Sequence, residues 1–282
     1  MQKTLKQSVK IEGIGLHSGC PVVMSIHPGK VNEGIIFKRV DMSEKPEVLA
    51  RYDNVKDTQN CTCIASKEGA IVSTIEHIMA ALSVAGINNG IIEINNQETP
   101  IMDGSGKIFY EKIKQAGIEE QRAEEKILKV MKPISFSDDK GNRISLSPAD
   151  AFIVDFEIEF PSKIVGHQRF VGEITPEIFE SSIAPCRTFC EKYQVDYLQS
   201  IGLIKGGSLD NAIVLDGETL LNPEGFRVQN ECVNHKVLDA IGDMYTSGYH
   251  ILGKLQASKT GHYHNNELLK VLFSDPSNYK II

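Results

Sequence analysis

The sequence predicts an α+β protein made of two pseudo-symmetric halves, each a two-layer α/β sandwich, with the active site at their interface. Each half starts with short β-type segments and ends in the order helix, strand, helix. A charged stretch, EEQRAEEK at 119–126, separates the halves. His77 and His235 open corresponding helices, so a tandem duplication would place both at the seam, where binding sites commonly form. The expected domains are 1–122 and 127–282, although two unrelated α+β domains would also fit the pattern.

The first half reads as β structure up to about residue 70. Short apolar stretches at 22–26 and 34–37 are broken by Gly, Pro and Asn clusters. The apolar period then changes, because the segment STIEHIMAALSVAG at 73–86 places its large apolar residues on one helical face. A strand at 90–94, a turn at MDGSG and a helix at 107–116 follow.

The second half repeats this arrangement. Its β-type segments lie at 127–130, at 143–146 and from residue 152 onward. They precede a helix in HKVLDAIGDMYTSG at 235–248, a strand at 250–257, a turn at KTGH and a helix at 266–273. The sequence identity between the halves is low, so the repeat is one of pattern.

Composition restricts the class of protein. With 282 residues, 41% of them hydrophobic and 24% charged, the chain can bury a substantial core. The net charge of −7 argues against nucleic acid or an anionic membrane as partner. No apolar run approaches the roughly 20 residues that span a bilayer, and the N-terminus lacks a signal peptide. A cytoplasmic monomer without a transmembrane segment is therefore expected, and its six cysteines should remain structural thiols.

The helix around His235 carries the strongest chemical signal. Its apolar residues occupy one face, while His235, Lys236, Asp239 and Asp243 fall together on the opposite stripe. His and Asp at positions i and i+4 are close enough to bind one ion. Taken alone, an H-x3-D pair is more often part of a solvated polar face.

The helix near Ser73 contributes a second piece. Glu76 and His77 lie off its apolar stripe, in the first turn. Ser73-x-x-Glu76 is also a capping-box pattern, and a capping role and a catalytic role can coexist at Glu76. The positive end of the helix disfavours an imidazolium at His77, which keeps the ring neutral, as a metal ligand must be.

Together these residues predict a catalytic zinc site. His77, His235 and Asp239 would leave a fourth tetrahedral position open. Glu76 is then the candidate base, His262 the candidate acid, and Asp243 the carboxylate that keeps the His262 imidazole charged. A His2Asp set also accepts Fe(II). A metal that merely joins two domains is a further alternative, which the open position disfavours.

The remaining histidines divide into two groups. His27, His250 and His264 are interpreted as structural or solvated, with no obvious partners for the last two. His17 and His167 lie in glycine-bearing turns and stay candidates.

Several motifs occur in an order that identifies a known family. These are GIGLHSG at 13–19, STIEHIMAAL at 73–82, PIMDGSG at 100–106, CRTFC at 186–190, GGSLDNAIV at 206–214, NPEGFR at 222–227, HKVLDAIGD at 235–243 and TGH at 260–262. The chain resembles the UDP-3-O-acyl-N-acetylglucosamine deacetylases of lipid A biosynthesis nearly end to end. The resemblance implies two similar sandwich domains and a zinc-dependent hydrolase. Its expected substrate is a small amphipathic sugar nucleotide, UDP-3-O-(3-hydroxyacyl)-N-acetylglucosamine.

The resemblance also implies roles for individual residues. His77, His235 and Asp239 match the zinc ligands, Glu76 the base, His262 the acid and Asp243 its support. Thr188 matches a hydroxyl that stabilises the oxyanion, Lys236 and Phe189 match substrate contacts, and His17 matches a position near the site. The implied acyl passage occupies 195–214, with Val195, Leu198, Ile204, Gly207 and Val214, although this stretch also reads as an ordinary buried helix and strand.

Three positions depart from the family pattern. Asn234 replaces an arginine, Gln194 an acidic residue and Tyr263 a small residue. None touches the predicted zinc ligands or the acid and base, so the departures bear on substrate fit. A zinc amidase acting on another N-acylated amino sugar is the alternative function.

Overall fold

The structure is a computed structural model that describes all 282 residues. It contains six α-helices and several β-sheets, arranged as a mixed α+β fold without a barrel. The predicted fold class is therefore confirmed. None of the helices combines the length and the apolar character needed to cross a membrane.

The first half contains ten strands and two helices. The strands are β1 Lys3–Leu5, β2 Val9–Ile14, β3 Pro21–Pro28, β4 Ile35–Arg39, β5 Glu47–Leu49, β6 Val55–Asp57, β7 Cys63–Ala65, β8 Ile71–Val72, β9 Gly90–Ile94 and β10 Ile118–Glu120. The helices are α1 Glu76–Val84 and α2 Lys107–Ala116, and a 3-10 turn covers Tyr52–Asn54. The main sheet has the order β2-β3-β9-β4-β5.

The second half contains ten further strands and four helices. The strands are β11 Ile127–Val130, β12 Ile134–Ser137, β13 Arg143–Ser147, β14 Phe152–Glu159, β15 His167–Glu173, β16 Phe189–Glu191, β17 Ile213–Asp216, β18 Thr219–Leu220, β19 His250–Ser258 and β20 Tyr279–Ile281. The helices are α3 Pro176–Ile178, α4 Lys192–Ser200, α5 Glu231–Tyr245 and α6 His262–Ser274. A π-helical turn follows α3 at Phe179–Ile183, and a 3-10 turn covers Pro276–Asn278.

Five strands in each of the two main sheets share one topology. In the first half, β9 pairs antiparallel with β3 and parallel with β4, while β2 and β5 close the two edges antiparallel. In the second half, β19 pairs antiparallel with β13 and parallel with β14. Strands β12 and β15 pair antiparallel with β13 and β14, respectively, on either side. Helices α1 and α2 flank β9 in the chain as α5 and α6 flank β19. The repeat of pattern in the sequence is thus a repeat of topology.

Helices α1 and α5 pack against each other, and one hydrophobic core extends through both halves. Helix α5 is buried at every residue except Lys236. A solvated polar face is therefore excluded for this helix, and its polar side chains must be paired inside the protein. They supply most of the candidate site.

Some boundaries differ from the sequence expectation. Helix α1 starts at Glu76 rather than near 73, because Thr74 has a left-handed backbone conformation with φ of 60°. Helix α5 starts at Glu231, four residues before His235, and α6 starts at His262 itself rather than at 266. His262 therefore stands at the N-terminus of a helix and not within a turn.

All six cysteines are free thiols, as expected. Cys61, Cys63, Cys186 and Cys232 are buried, and Cys190 is half-buried. Cys20 is exposed, so the interpretation of every cysteine as a buried structural residue is wrong at that position.

Candidate metal centre

His77, His235 and Asp239 form a compact, buried group of metal-ligand type. One ligand atom of each residue lies within 4.8 Å of the others. Asp239 Oδ1 is 3.6 Å from His77 Nε2 and 3.4 Å from His235 Nε2. The sequence-based grouping of these three side chains therefore matches the geometry.

A close approach of two helices brings the group together. Gly242 in α5 lies so near the backbone carbonyl oxygen of Glu76 in α1 that a Cβ atom at Gly242 would overlap it. Asp239 precedes Gly242 by one turn, and His77 directly follows Glu76. The glycine thus allows α5 to present its ligands to the first turn of α1.

The charge states of the group suit a cation. Burial lowers the pKa of His235 to about 4, so the ring is neutral at pH 7. His235 Nδ1 lies 3.0 Å from the carbonyl oxygen of Cys186, which fixes the proton on Nδ1 and leaves the Nε2 lone pair free. Burial would raise the pKa of Asp239, but the neighbouring positive charge of Lys236 holds it well below its usual value. Two imidazoles and one carboxylate are a donor set that fits a divalent transition metal.

Glu76 projects beside these ligands and does not form the capping box. The residue at the N-cap of α1 is Ile75, which makes no side-chain cap. Ser73 Oγ donates instead to the carbonyl of Gln97, and Glu76 Oε2 accepts from the backbone N–H of Thr62 at 2.9 Å. The capping-box interpretation is therefore wrong. Burial raises the pKa of the Glu76 carboxyl, as a proton-accepting group requires.

His262 is held by Asp243 at the other side of the group. Its Nδ1 lies 2.7 Å from Asp243 Oδ2, and its Nε2 lies 4.0 Å from Asp239 Oδ2. Burial would lower the pKa of His262, but the carboxylates of Asp243, Glu76 and Asp239 together outweigh it and raise the pKa to about 9. The imidazole is therefore a cation at neutral pH.

Three more of the predicted residues surround the ligands. Thr188 directly precedes β16, and Phe189 is its first residue. The Phe189 ring stands edge-on to His235 with centroids 6.4 Å apart. Lys236 Nζ donates to Asp239 Oδ2 at 2.7 Å. The other carboxylate oxygen, Oδ1, faces His77 and His235. The lysine is the one residue of α5 that reaches an open surface.

A cavity of about 750 Å³ connects the ligand group to the predicted acyl passage. It is lined by the ligands, Glu76, His262 and Thr188. The same cavity is lined by the five residues that were assigned to the passage, namely Val195, Leu198, Ile204, Gly207 and Val214. No residue of α4 is buried, so the alternative of an ordinary buried helix in this stretch is wrong.

His17 also lines the cavity, from a loop of the first half. Its backbone N–H donates to Glu98 Oε1 at 2.7 Å, and neither ring nitrogen has a hydrogen-bond partner. Burial lowers the pKa of this imidazole, against an opposing effect of Glu98. The histidine is thus a neutral part of the wall.

The other histidines lie away from the cavity. His250 Nδ1 is 2.5 Å from Glu125 Oε1, and His264 Nε2 is 3.1 Å from Asp138 Oδ2, so the expectation that these two lack partners is wrong. His27 contacts Ser8 and Glu93 at 2.8 and 3.4 Å. His167 faces Glu157 on the sheet surface and does not join the site.

The three positions that depart from the family pattern have distinct environments. Asn234 is buried and donates to the carbonyl of Ser182 at 2.9 Å. Gln194 lines the cavity and accepts from the backbone of Glu191 at 3.0 Å as part of the cap of α4. Tyr263 is exposed and stands edge-on to Phe136.

Two polar residues near the site carry no recognisable signal in the sequence. Thr62 Oγ1 and Asn265 Nδ2 donate to Asp243 at 2.5 and 2.8 Å. Thr62 is 181 positions from Asp243, so only the packing of the two halves brings them together. Asn265 lies one turn after His262 and would have been assigned to α6 had the start of that helix been placed correctly.

Comparison with known proteins gives one consistent result. The family model for UDP-3-O-acyl N-acetylglycosamine deacetylase matches residues 2–274. The UDP-3-O-acyl-N-acetylglucosamine deacetylase of Histophilus somni is 43% identical over 284 residues, which cover 100% of this chain and 92% of the relative. The proteins of the same name from Vibrio vulnificus and Pasteurella multocida are 44% and 42% identical, over 97% and 100% of this chain and 90% and 92% of theirs.

Proposed function

This chain belongs to the UDP-3-O-acyl N-acetylglycosamine deacetylase family, and we propose that it hydrolyses the acetamide of UDP-3-O-acyl-N-acetylglucosamine in lipid A biosynthesis. The products are UDP-3-O-acyl-glucosamine and acetate. The observation that carries the proposal is the placement of two histidines and an aspartate, a buried glutamate and a charged histidine around one cavity.

We propose that the ion held by His77, His235 and Asp239 is Zn²⁺, with Fe²⁺ as the alternative for this donor set. When bound, such an ion supplies Lewis acidity, which polarises an amide carbonyl and lowers the pKa of water. Three protein ligands without a fourth are typical of catalytic rather than structural zinc.

Glu76 is the proposed general base. Its carboxylate is buried beside the ligand His77, and the Thr62 N–H fixes one of its oxygens. The other oxygen is then free to take the proton of the water that attacks the acetamide carbon. Because burial raises the pKa of Glu76, the carboxylate accepts a proton more readily than an exposed glutamate does.

His262 is the proposed general acid. Its Nδ1 proton is bound by Asp243, so Nε2 is the atom that points toward the ligand group and can protonate the departing amine. The three carboxylates that raise its pKa keep that proton in place at neutral pH. In each turnover Glu76 takes one proton from the attacking water and His262 gives one proton to the departing amine. Proton exchange with solvent then returns both groups to their starting states.

Thr188 and Lys236 are proposed to bind the reacting end of the substrate. Thr188 lines the cavity, and its hydroxyl would donate to the oxyanion that forms on the acetamide oxygen. Lys236 provides a positive charge at the cavity wall, which suits an anionic sugar nucleotide. Phe189 would supply an apolar surface beside the reacting end of the substrate, and His17 would supply an uncharged one.

The passage beside α4 is proposed to bind the 3-O-acyl chain. Val195, Leu198, Ile204 and Val214 make its wall apolar, and Gly207 adds no side chain to it. The transfer of an acyl chain from water to such a wall is favourable by about 0.8 kcal/mol for each buried methylene.

Acetate release tests this function directly. The purified protein is given UDP-3-O-(3-hydroxymyristoyl)-N-acetylglucosamine and, in parallel, UDP-N-acetylglucosamine without the acyl chain. We expect rapid hydrolysis of the first and little of the second, because the passage contributes binding only to the acylated substrate. Equal hydrolysis of both, or of neither, would contradict the proposal and favour an amidase for another amino sugar.

A further inference from the structure

Thr62 connects two carboxylates that come from different helices. Its backbone N–H donates to Glu76 Oε2 of α1 at 2.9 Å, and its hydroxyl donates to Asp243 Oδ1 of α5 at 2.5 Å. The residue is 2% exposed and immediately precedes β7. Its carbonyl also accepts from the N–H of Ile75 at the start of α1. A single residue thus fixes the base and the partner of the acid with respect to each other.

Asp243 receives three hydrogen bonds that together define its orientation. Thr62 holds Oδ1, while His262 and Asn265 share Oδ2 at 2.7 and 2.8 Å. Asn265 is 1% exposed and stands one turn after His262 in α6. Because donors hold both oxygens, the carboxylate cannot rotate without losing at least one bond.

We propose that Thr62 and Asn265 are positioning residues that orient the Asp243 carboxylate, and through it the His262 imidazole, for proton transfer. The inference rests on the proposed role of His262 as general acid. Neither side chain touches the substrate in this account, so each acts through Asp243 alone.

The alternative is that the Thr62 hydroxyl only satisfies a buried polar position. In that case its loss would affect stability but not the His262–Asp243 hydrogen bond. If instead the hydroxyl orients Asp243, its loss frees one carboxylate oxygen, and the bond to His262 Nδ1 lengthens or is shared between both oxygens. The two accounts therefore differ in what they predict for the His262 Nδ1 proton.

The first part of the test is kinetic. Thr62→Val removes the hydroxyl while keeping the shape, and Thr62→Ser keeps it. We expect Thr62→Val to lower kcat about 10- to 100-fold with KM changed by less than about twofold, and Thr62→Ser to restore most of kcat. Thr4→Val is the matched control, because Thr4 is 4% exposed and donates to Asn89 but lies in β1, away from the cavity. Its kcat should equal that of the wild type.

The second part is spectroscopic and uses no substrate. The Nδ1–H resonance of His262 is followed by NMR in ¹⁵N-histidine-labelled zinc-loaded protein and is assigned by its absence in His262→Gln. We expect this resonance to shift or disappear in Thr62→Val and to be retained in Thr62→Ser and Thr4→Val. Asn265→Ala should perturb it from the other side of Asp243, which keeps the test available if Thr62→Val does not fold.

The outcomes separate the inference from the proposed function. A Thr62→Val variant with wild-type kcat, or one whose His262 resonance is unchanged although kcat falls, would overturn the positioning role. A wild-type protein that does not release acetate would overturn the proposed function, and the resonance would still decide whether Thr62 orients Asp243 and His262.

Discussion

Gly242 of α5 lies directly against the backbone carbonyl of Glu76 in α1, with no room for a side chain between them. This contact sets how closely the two helices approach, and therefore the separation of His77 from His235 and Asp239. The geometry of the candidate metal centre thus depends on a residue that has no functional group.

We predict that Gly242→Ala disturbs both stability and activity. The added methyl group must displace a backbone atom, and overpacking of this kind costs about 1–3 kcal/mol of unfolding free energy. Gly90→Ala in β9 is the control, since a Cβ there would meet its nearest neighbour at an ordinary 3.6 Å. Urea unfolding and acetate release measure the two effects. Equal stability and turnover of the two variants would show that the helix contact does not set the site.

The base is tested by Glu76→Gln. The amide keeps the size of the side chain but cannot take a proton, so kcat should fall on the order of 10² to 10⁴-fold. Bound zinc, measured by atomic absorption, should remain at the wild-type level because Glu76 is not a proposed ligand. Glu111→Gln on the exposed face of α2 should behave as wild type. Turnover that survives in Glu76→Gln would exclude this residue as the base.

The acid is tested by the alkaline side of the pH profile. The pKa of His262 is about 9, since burial, which would lower it, is outweighed by Asp243, Glu76 and Asp239. As the pH rises through that region His262 loses its proton, so kcat/KM should fall. Asp243→Asn removes one of the raising charges, and the fall should then begin at lower pH. Asp150 is exposed, so Asp150→Asn should leave the pH profile unchanged. An unshifted profile in Asp243→Asn would contradict the assignment of His262, with Asp243 as its partner, as the acid.

A hydrogen bond between Glu125 and His250, away from the metal centre, should control acid stability. Glu125 accepts from His250 at 2.5 Å, and this bond lowers the pKa of the carboxyl to about 2. The stabilisation, about 1–3 kcal/mol, is therefore complete above the ordinary pKa of about 4.5 and is lost as the pH falls toward 2. The difference in the free energy of unfolding between wild type and Glu125→Gln, measured in urea, should be constant from pH 7 to 5 and smaller at pH 3.5. The neighbouring Glu124→Gln should show no such pH-dependent difference. A difference between wild type and Glu125→Gln that does not change with pH would contradict the lowered pKa of Glu125.

Much of the fold could be predicted from the sequence. The helical face in 73–86 and the pattern shared by the two halves depend on local periodicity, which can be recognised in the sequence alone. Helix α5 was harder to interpret, because its polar stripe reads as solvated when it is seen alone. It is buried in fact, since the stripe faces the metal group and the cavity. The domain boundary at 119–126 stays a prediction.

The site could be predicted only in part, for a physical reason. His235 and Asp239 share a helix face, so their spacing indicates them. Glu76 and His77 lie off the apolar stripe of their helix. The family motifs then pointed to the same residues and to His262, which was already the candidate acid. The partners of Asp243 could not be found in this way, because Thr62 reaches it across 181 positions. The Ser73–Glu76 spacing was misleading, since the left-handed turn at Thr74 starts the helix later and leaves Glu76 free for Thr62.

The central claim is that the ion bound by His77, His235 and Asp239 is required for deacetylation. The most direct measurement is acetate release from UDP-3-O-(3-hydroxymyristoyl)-N-acetylglucosamine by the purified protein, before and after chelation and after zinc add-back, with the metal content determined at each step. We expect activity to disappear with about one ion per chain and to return when one zinc is restored. Full activity in protein shown to be free of metal would contradict the claim.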